Sequence, residues 1–206
     1  MNHDLVAPVY DFLGVLWTGG AIGAAKRLAA ATAQAGDRVL FAGVGTGRDA
    51  AVAVERGAQV TGVDLSGRML SRASRRCGPG FRALREDVLE HDPGEGYDLV
   101  CAHYFLNVFG PSRAPEVLDH LAGFVRPGGR LAVADFAPGA GLLRSVHYRV
   151  PATVFGLLGL CAEHPIYDYS PMLAAAELEV ETHDVRIFGV GPAFHRVWIG
   201  TRGARG

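Results

Sequence analysis

Three glycines in the spacing G-x-G-x-G, within GVGTG from Gly43 to Gly47, follow directly on the apolar run RVLFA. That order lets a chain turn tightly at the end of a strand and bring bare backbone against a ligand, and a helix starting there offers unpaired N–H groups. Polar groups recur at the ends of later apolar runs: Asp64 after AQVTGV, Asp87 after FRALRE, His103 after YDLVCA and Asp135 after RLAVA. A carboxylate at Asp64 can grip two ribose hydroxyls, and one at Asp87 can accept from an amine. Phe41 stands apart, because it occupies a place before the glycine loop where such strands often carry an acid.

The elements that must position these groups are legible in the alternation of apolar runs with helix-like stretches, which implies an α/β fold with a largely parallel sheet. RVLFAG, AQVTGVD, FRALRED, YDLVCAH and RLAVADF read as five strands. DAAVAVERG reads as a helix closed by Gly57, and Ser66 caps a helix running through Met69 to Arg76. Pro115 to Val125 is amphipathic, and RPGG reads as a tight turn. LEVETHDVRIF and AFHRVWIGTR read as a terminal hairpin. The expected organisation is a single domain over 1–206: a helical arm over 1–35, a ligand-binding core over 36–136, a helical cap over 137–177 and the hairpin over 178–206. In an open sheet of this kind ligands bind beyond the carboxyl ends of the strands, where all the polar groups above fall.

Composition narrows the function classes. The 206 residues are 49% apolar and carry a net charge of -1, so they lack the excess of positive charge that general nucleic-acid binding needs. RASRR, from Arg72 to Arg76, reads as the solvated face of a helix. Lys26 is the only lysine among 20 basic residues. Three scattered cysteines suggest neither a disulfide framework nor a metal site and fit a reducing cytoplasm. The amino-terminal stretch lacks the basic start and cleavage site of a signal peptide.

The loop with Asp64 fits NAD and S-adenosylmethionine alike, although Arg48 stands where the NAD fingerprint G-x-G-x-x-G needs a glycine. Taken in order, RVLFAGVGTG, VTGVDLSGRML, REDVLE, YDLVCAHYFLNV and FVRPGGRLAVADF resemble the successive motifs of the class I S-adenosylmethionine-dependent methyltransferases across about residues 36 to 136. The resemblance implies a Rossmann-like, mostly parallel seven-stranded sheet with an antiparallel last strand. It further implies that Gly43, Gly45, Thr46 and Gly47 pass under the methionine part and that Asp64 holds the ribose. Leu65 and Met69 would flank the adenine, Asp87 and Val88 would meet its amine edge, and His103 would lie beside the sulfonium. Tyr10 of the arm completes the implied cofactor set. Phe41 departs from the family pattern: either backbone carbonyls with Asp135 or Asp49 replace the missing acid, which is the favoured expectation, or cofactor affinity is reduced, or the site serves a related ligand.

YDFLGVLW, the fifth strand and GLLRSVHYRVP are more loosely similar to the subfamily that C-methylates ubiquinone and menaquinone precursors. A small hydrophobic acceptor, phenol- or quinol-like, is therefore expected. VFGLLGL, with Tyr104, Phe105, Phe109, Phe155, Tyr167 and Tyr169, could wall an aromatic pocket, make a peripheral membrane contact or simply pack the cap on the sheet. Among His103, Tyr104, His147, Tyr148, His164, Asp168 and His195, the expected base is His147, with Tyr148 or His103 orienting. The histidines lack metal-ligand spacing, and no metal is expected. Two alternatives stand beside this: N-methylation of a phospholipid headgroup, and nucleoside binding without methyl transfer.

Overall fold

The computed structural model describes residues 20–139, 165–187 and 191–204. Tyr10, His147, Tyr148, Phe155 and His164 therefore lie outside the described residues, as do most of the arm and the greater part of the cap.

Seven strands form one sheet in the order β3-β2-β1-β4-β5-β7-β6. These are β1 (Arg38–Ala42), β2 (Gln59–Val63), β3 (Phe81–Leu84), β4 (Tyr97–His103), β5 (Val125–Phe136), β6 (Leu178–Arg186) and β7 (Ala193–Arg202). The first five pair in parallel; β7 runs antiparallel to both β5 and β6. The expected mixed sheet with a reversed last strand is thus observed. Strand order reverses between β1 and β4, which puts the binding crevice at the ends of those two strands.

Helices α1 (Ala21–Ala30), α2 (Arg48–Glu55) and α3 (Gly67–Cys77) cover one face; α4 (Arg113–Gly123) and α5 (Ser170–Ala175) cover the other. β4 is buried along its whole length, as a central parallel strand must be, and its apolar side chains divide between the two layers. Leu99 and Cys101 face α1 and α2, whereas Val100 and Ala102 face α4. This alternation fixes which face each strand-end side chain meets. Among the described residues no helix is long and apolar enough to cross a membrane.

Two local expectations shift. RPGG lies inside β5 rather than in a turn before it: Tyr97 pairs with Val125 and Leu99 with Arg130, so the extra residues bulge out of the ladder. Gly128 makes this possible with φ of 77°, and at Gly129 a Cβ would sit 2.9 Å from the Tyr97 carbonyl. The third strand stops at Leu84, because Asp87 caps a 3-10 turn over Val88–Glu90 by accepting from the Leu89 amide at 3.0 Å.

Candidate active site

The glycine loop leaves β1 and enters α2 with Gly43, Gly45 and Gly47 all in the left-handed region, at φ 63°, 56° and 70°. At Gly43 a Cβ would stand 2.5 Å from the Phe105 ring, and at Gly47 2.9 Å from the backbone of Ala73 on α3. Those two glycines admit neighbouring elements. Gly45 differs, since among the described residues nothing lies within 4 Å of its missing side chain.

Asp64 ties this loop to the end of β2. One carboxylate oxygen accepts from the Gly45 amide at 2.9 Å and the other from the Ser66 amide at 2.8 Å. Each oxygen keeps a lone pair, so the carboxylate can order the loop and still accept from a ligand hydroxyl. Ser66 caps α3 by accepting from the Met69 amide at 3.3 Å. Leu65, 69% exposed, stands out beside Asp64 as an apolar surface awaiting a flat partner. Thr46 is half-buried, and its carbonyl accepts from the Arg76 guanidinium.

Asp87 and the buried Val88 follow β3, at the far side of Asp64 from the loop. The structure therefore brings Gly43, Gly45, Thr46, Gly47, Asp64, Leu65, Met69, Asp87 and Val88 to the carboxyl ends of three adjacent strands. His103 ends the fourth.

His103 enters a buried group that motif spacing does not reveal. Its Nδ1 lies 2.6 Å from the carboxylate of Asp49, in the first turn of α2, and the two side chains are 2% and 4% exposed. Lys26, from α1, puts its ammonium 3.8 Å from the same carboxylate and 5.7 Å from the Tyr104 ring centre. Burial by itself would raise the Asp49 pKa. The His103 hydrogen bond and the Lys26 charge outweigh it and hold the group down to about 2. Phe41 meets His103 edge-on with ring centres 5.6 Å apart. His103 Nε2 is buried and has no hydrogen-bond partner among the described residues.

A second buried acid lies across the sheet. Asp135, 2% exposed, accepts from Asn107 at 3.0 Å, from the Phe136 amide at 2.8 Å and from the Tyr169 hydroxyl at 2.7 Å. Its partners are neutral, and burial pushes its pKa up to about 6. Burial and the neighbouring Asp135 also drive the Tyr169 hydroxyl far above its ordinary range. Between the two acids, Tyr104 holds a left-handed φ of 53°, uncommon for an aromatic residue, and its hydroxyl lies 2.8 Å from His195 Nδ1. Phe136 packs edge-on to Tyr104 at 5.4 Å. Sequence reasoning missed Lys26, whose one signal was being the sole lysine.

The methyltransferase domain family matches residues 39–129. The demethylmenaquinone methyltransferase of Tropheryma whipplei (strain Twist) is 34% identical over 106 residues, covering 50% of this chain and 43% of that protein. An uncharacterised methyltransferase of Geobacillus kaustophilus is 31% identical over 105 residues, covering 50% of this chain and 49% of its own length. The chain thus spans about half the length of these curated relatives. Among solved structures, the 1,6-didemethyltoxoflavin-N1-methyltransferase of Burkholderia thailandensis, with bound 1,6-didemethyltoxoflavin and S-adenosylhomocysteine, superposes with a TM-score of 0.67 at 22% identity, covering 98% of this chain and 91% of that one. The magnesium protoporphyrin IX methyltransferase of Synechocystis PCC 6803, also with S-adenosylhomocysteine, gives 0.65 at 22% identity over 90% and 83%. Residues 39–129, somewhat less than half of the chain, thus match a methyltransferase domain, on a sheet that shares its fold with these solved methyltransferases.

Proposed function

We infer that the chain transfers a methyl group from S-adenosylmethionine to a small hydrophobic acceptor, phenol- or quinol-like in character. The observation that carries the reading is the carboxylate of Asp64 bonded to the Gly45 amide, at a glycine whose missing side chain would meet nothing within 4 Å among the described residues. The residues fit the nucleoside: Asp64 for the ribose, Leu65 and Met69 for the flat faces of adenine, and Asp87 with the Val88 amide for its edge.

S-adenosylmethionine supplies an activated methyl group that an acceptor displaces in line. The chain's own work is then alignment and proton handling. Tyr104 and Phe136 offer aromatic surface at the ends of β4 and β5, where an acceptor would meet the nucleoside. The names of the relatives, with demethylmenaquinone and a protoporphyrin among them, support an apolar, ring-bearing acceptor. We assign the base to His147, with Tyr148 or His103 orienting, and keep Tyr10 in the cofactor-binding set.

Calorimetric titration with S-adenosylmethionine and S-adenosylhomocysteine, using NAD as control, tests the cofactor. Micromolar binding of both sulfur nucleosides and none of NAD is expected; the reverse order would remove the reading. A panel of quinols, phenols and phospholipid headgroups, assayed for S-adenosylhomocysteine release, then tests the acceptor. Turnover confined to headgroups in vesicles would replace the aromatic acceptor with a lipid.

A further inference from the structure

We propose that Lys26, Asp49 and His103 together read the zwitterionic amino-acid end of the cofactor and take over the task that Phe41 cannot perform. The proposal rests on the cofactor reading above; of the two expected stand-ins for the missing acid it chooses Asp49, and it adds Lys26 and His103 as its partners.

The first step is positional. Asp64 closes β2 and His103 closes β4, with β1 and the glycine loop between them. Two strand spacings of about 4.8 Å put those ends roughly 10 Å apart. A nucleoside whose ribose sits at Asp64 must send its amino-acid limb over the loop toward β4.

The second step is chemical. At the end of β4 a buried carboxylate and an ammonium stand 3.8 Å apart, a separation too long for a hydrogen bond. Among the described residues Lys26 has no hydrogen-bond acceptor, and it is 28% exposed, so its three donors can serve an incoming carboxylate. Asp49 engages His103 Nδ1, which leaves the buried Nε2, without a partner among the described residues, as the acceptor of a negatively backed pair. A buried imidazole nitrogen without a partner is costly and calls for one. An acceptor backed by an anion, set beside a cation, is the complement of an ammonium next to a carboxylate.

Two further observations agree. The start of α2 has glycine at its cap position and no side-chain cap, so its N–H groups and dipole favour the same carboxylate that Lys26 would bind. Phe41, edge-on to His103, keeps water from the pair and strengthens its field.

The test compares S-adenosylhomocysteine with 5′-methylthioadenosine, which keeps the nucleoside and sulfur but lacks the amino-acid end, by calorimetry on the full chain. Wild type should prefer S-adenosylhomocysteine. Asp49→Asn, His103→Leu and the milder Lys26→Met should each weaken S-adenosylhomocysteine about tenfold, the scale of one charge-assisted hydrogen bond, and leave methylthioadenosine within about twofold. Thermal unfolding identifies any variant that fails to fold, and Lys26→Met, at a partly exposed site, keeps the test decisive. Equal losses for both ligands, or an unchanged preference in folded variants, would overturn the proposal. Wild type that binds both ligands equally would overturn it as well, whereas wild type that binds neither would remove the cofactor reading itself.

Discussion

Asp49 and Asp135 lie on opposite faces of one sheet, beside neighbouring strand ends, and are buried to nearly the same degree, at 4% and 2% exposure. Their acidities nevertheless diverge. Asp49 faces an ammonium and an imidazole and is held down to about 2; Asp135 faces an amide side chain, a phenol and a backbone N–H and is pushed up to about 6. Three hydrogen bonds at Asp135, with the Lys26 charge only as the smallest influence, do not offset the desolvation of its carboxylate. Opposite charge at Asp49 does, and it makes the Asp49 face the electrostatic side of the crevice.

That contrast is most directly broken at Asp49. Replacing it with alanine leaves Lys26 and His103 without their anion and should cost about 3 to 5 kcal/mol, read by urea unfolding. A cost below about 1 kcal/mol would show that the group contributes little to the fold. The pH dependence gives the next largest effect, and the two acids have opposite signs. The folded state holds the Asp135 proton more tightly than the unfolded chain does, so stability should fall as pH rises from about 4 to 6, by about 3 kcal/mol at 1.36 kcal/mol per unit. Asp49 releases its proton more readily when folded, so its contribution of about 2 kcal/mol is present above pH 4 and is lost as pH falls toward 2. Asp135→Asn should flatten the upper window and leave the lower one intact; a variant with an unchanged slope between pH 4 and 6 would contradict the assignment.

At the loop between the two faces, Asp64→Ala should weaken S-adenosylhomocysteine by about 1 to 3 kcal/mol in calorimetry. Unchanged affinity would take the ribose away from Asp64. The smallest effect belongs to Ser66→Ala, which removes the α3 cap and should cost about 1 kcal/mol of stability without altering either pH window. Movement of either window in that variant would show that the aspartates are coupled through the loop.

The Asp135 face and the Asp49 face were unequally legible in the sequence. Strands announce themselves by apolar runs, so acids at their ends, Asp64, Asp87 and Asp135, could be placed directly. Asp49 is legible only as one of two possible stand-ins for the missing acid, in the first turn of RDAAVAVE, and its burial arises only where α1, α2 and β4 converge. Lys26 is likewise hidden in an alanine-rich helix. The left-handed Tyr104 has no sequence signature, because aromatic side chains do not favour that backbone. RPGG carries turn residues that the strand absorbs as a bulge, since proline and glycine mark a break in the ladder without saying whether the strand resumes.

β7 follows β6 in the chain yet lies between β5 and β6. On the ribosome, the flank of β5 therefore stays unpaired until a strand made later arrives to fill it, with fully buried Trp198 at its centre. The sheet closes from the inside, by capture of a hairpin, and cannot grow outward one strand at a time. Such a distant pairing is slow to form, and the waiting edge of β5 is where nascent copies of this chain would stick to one another.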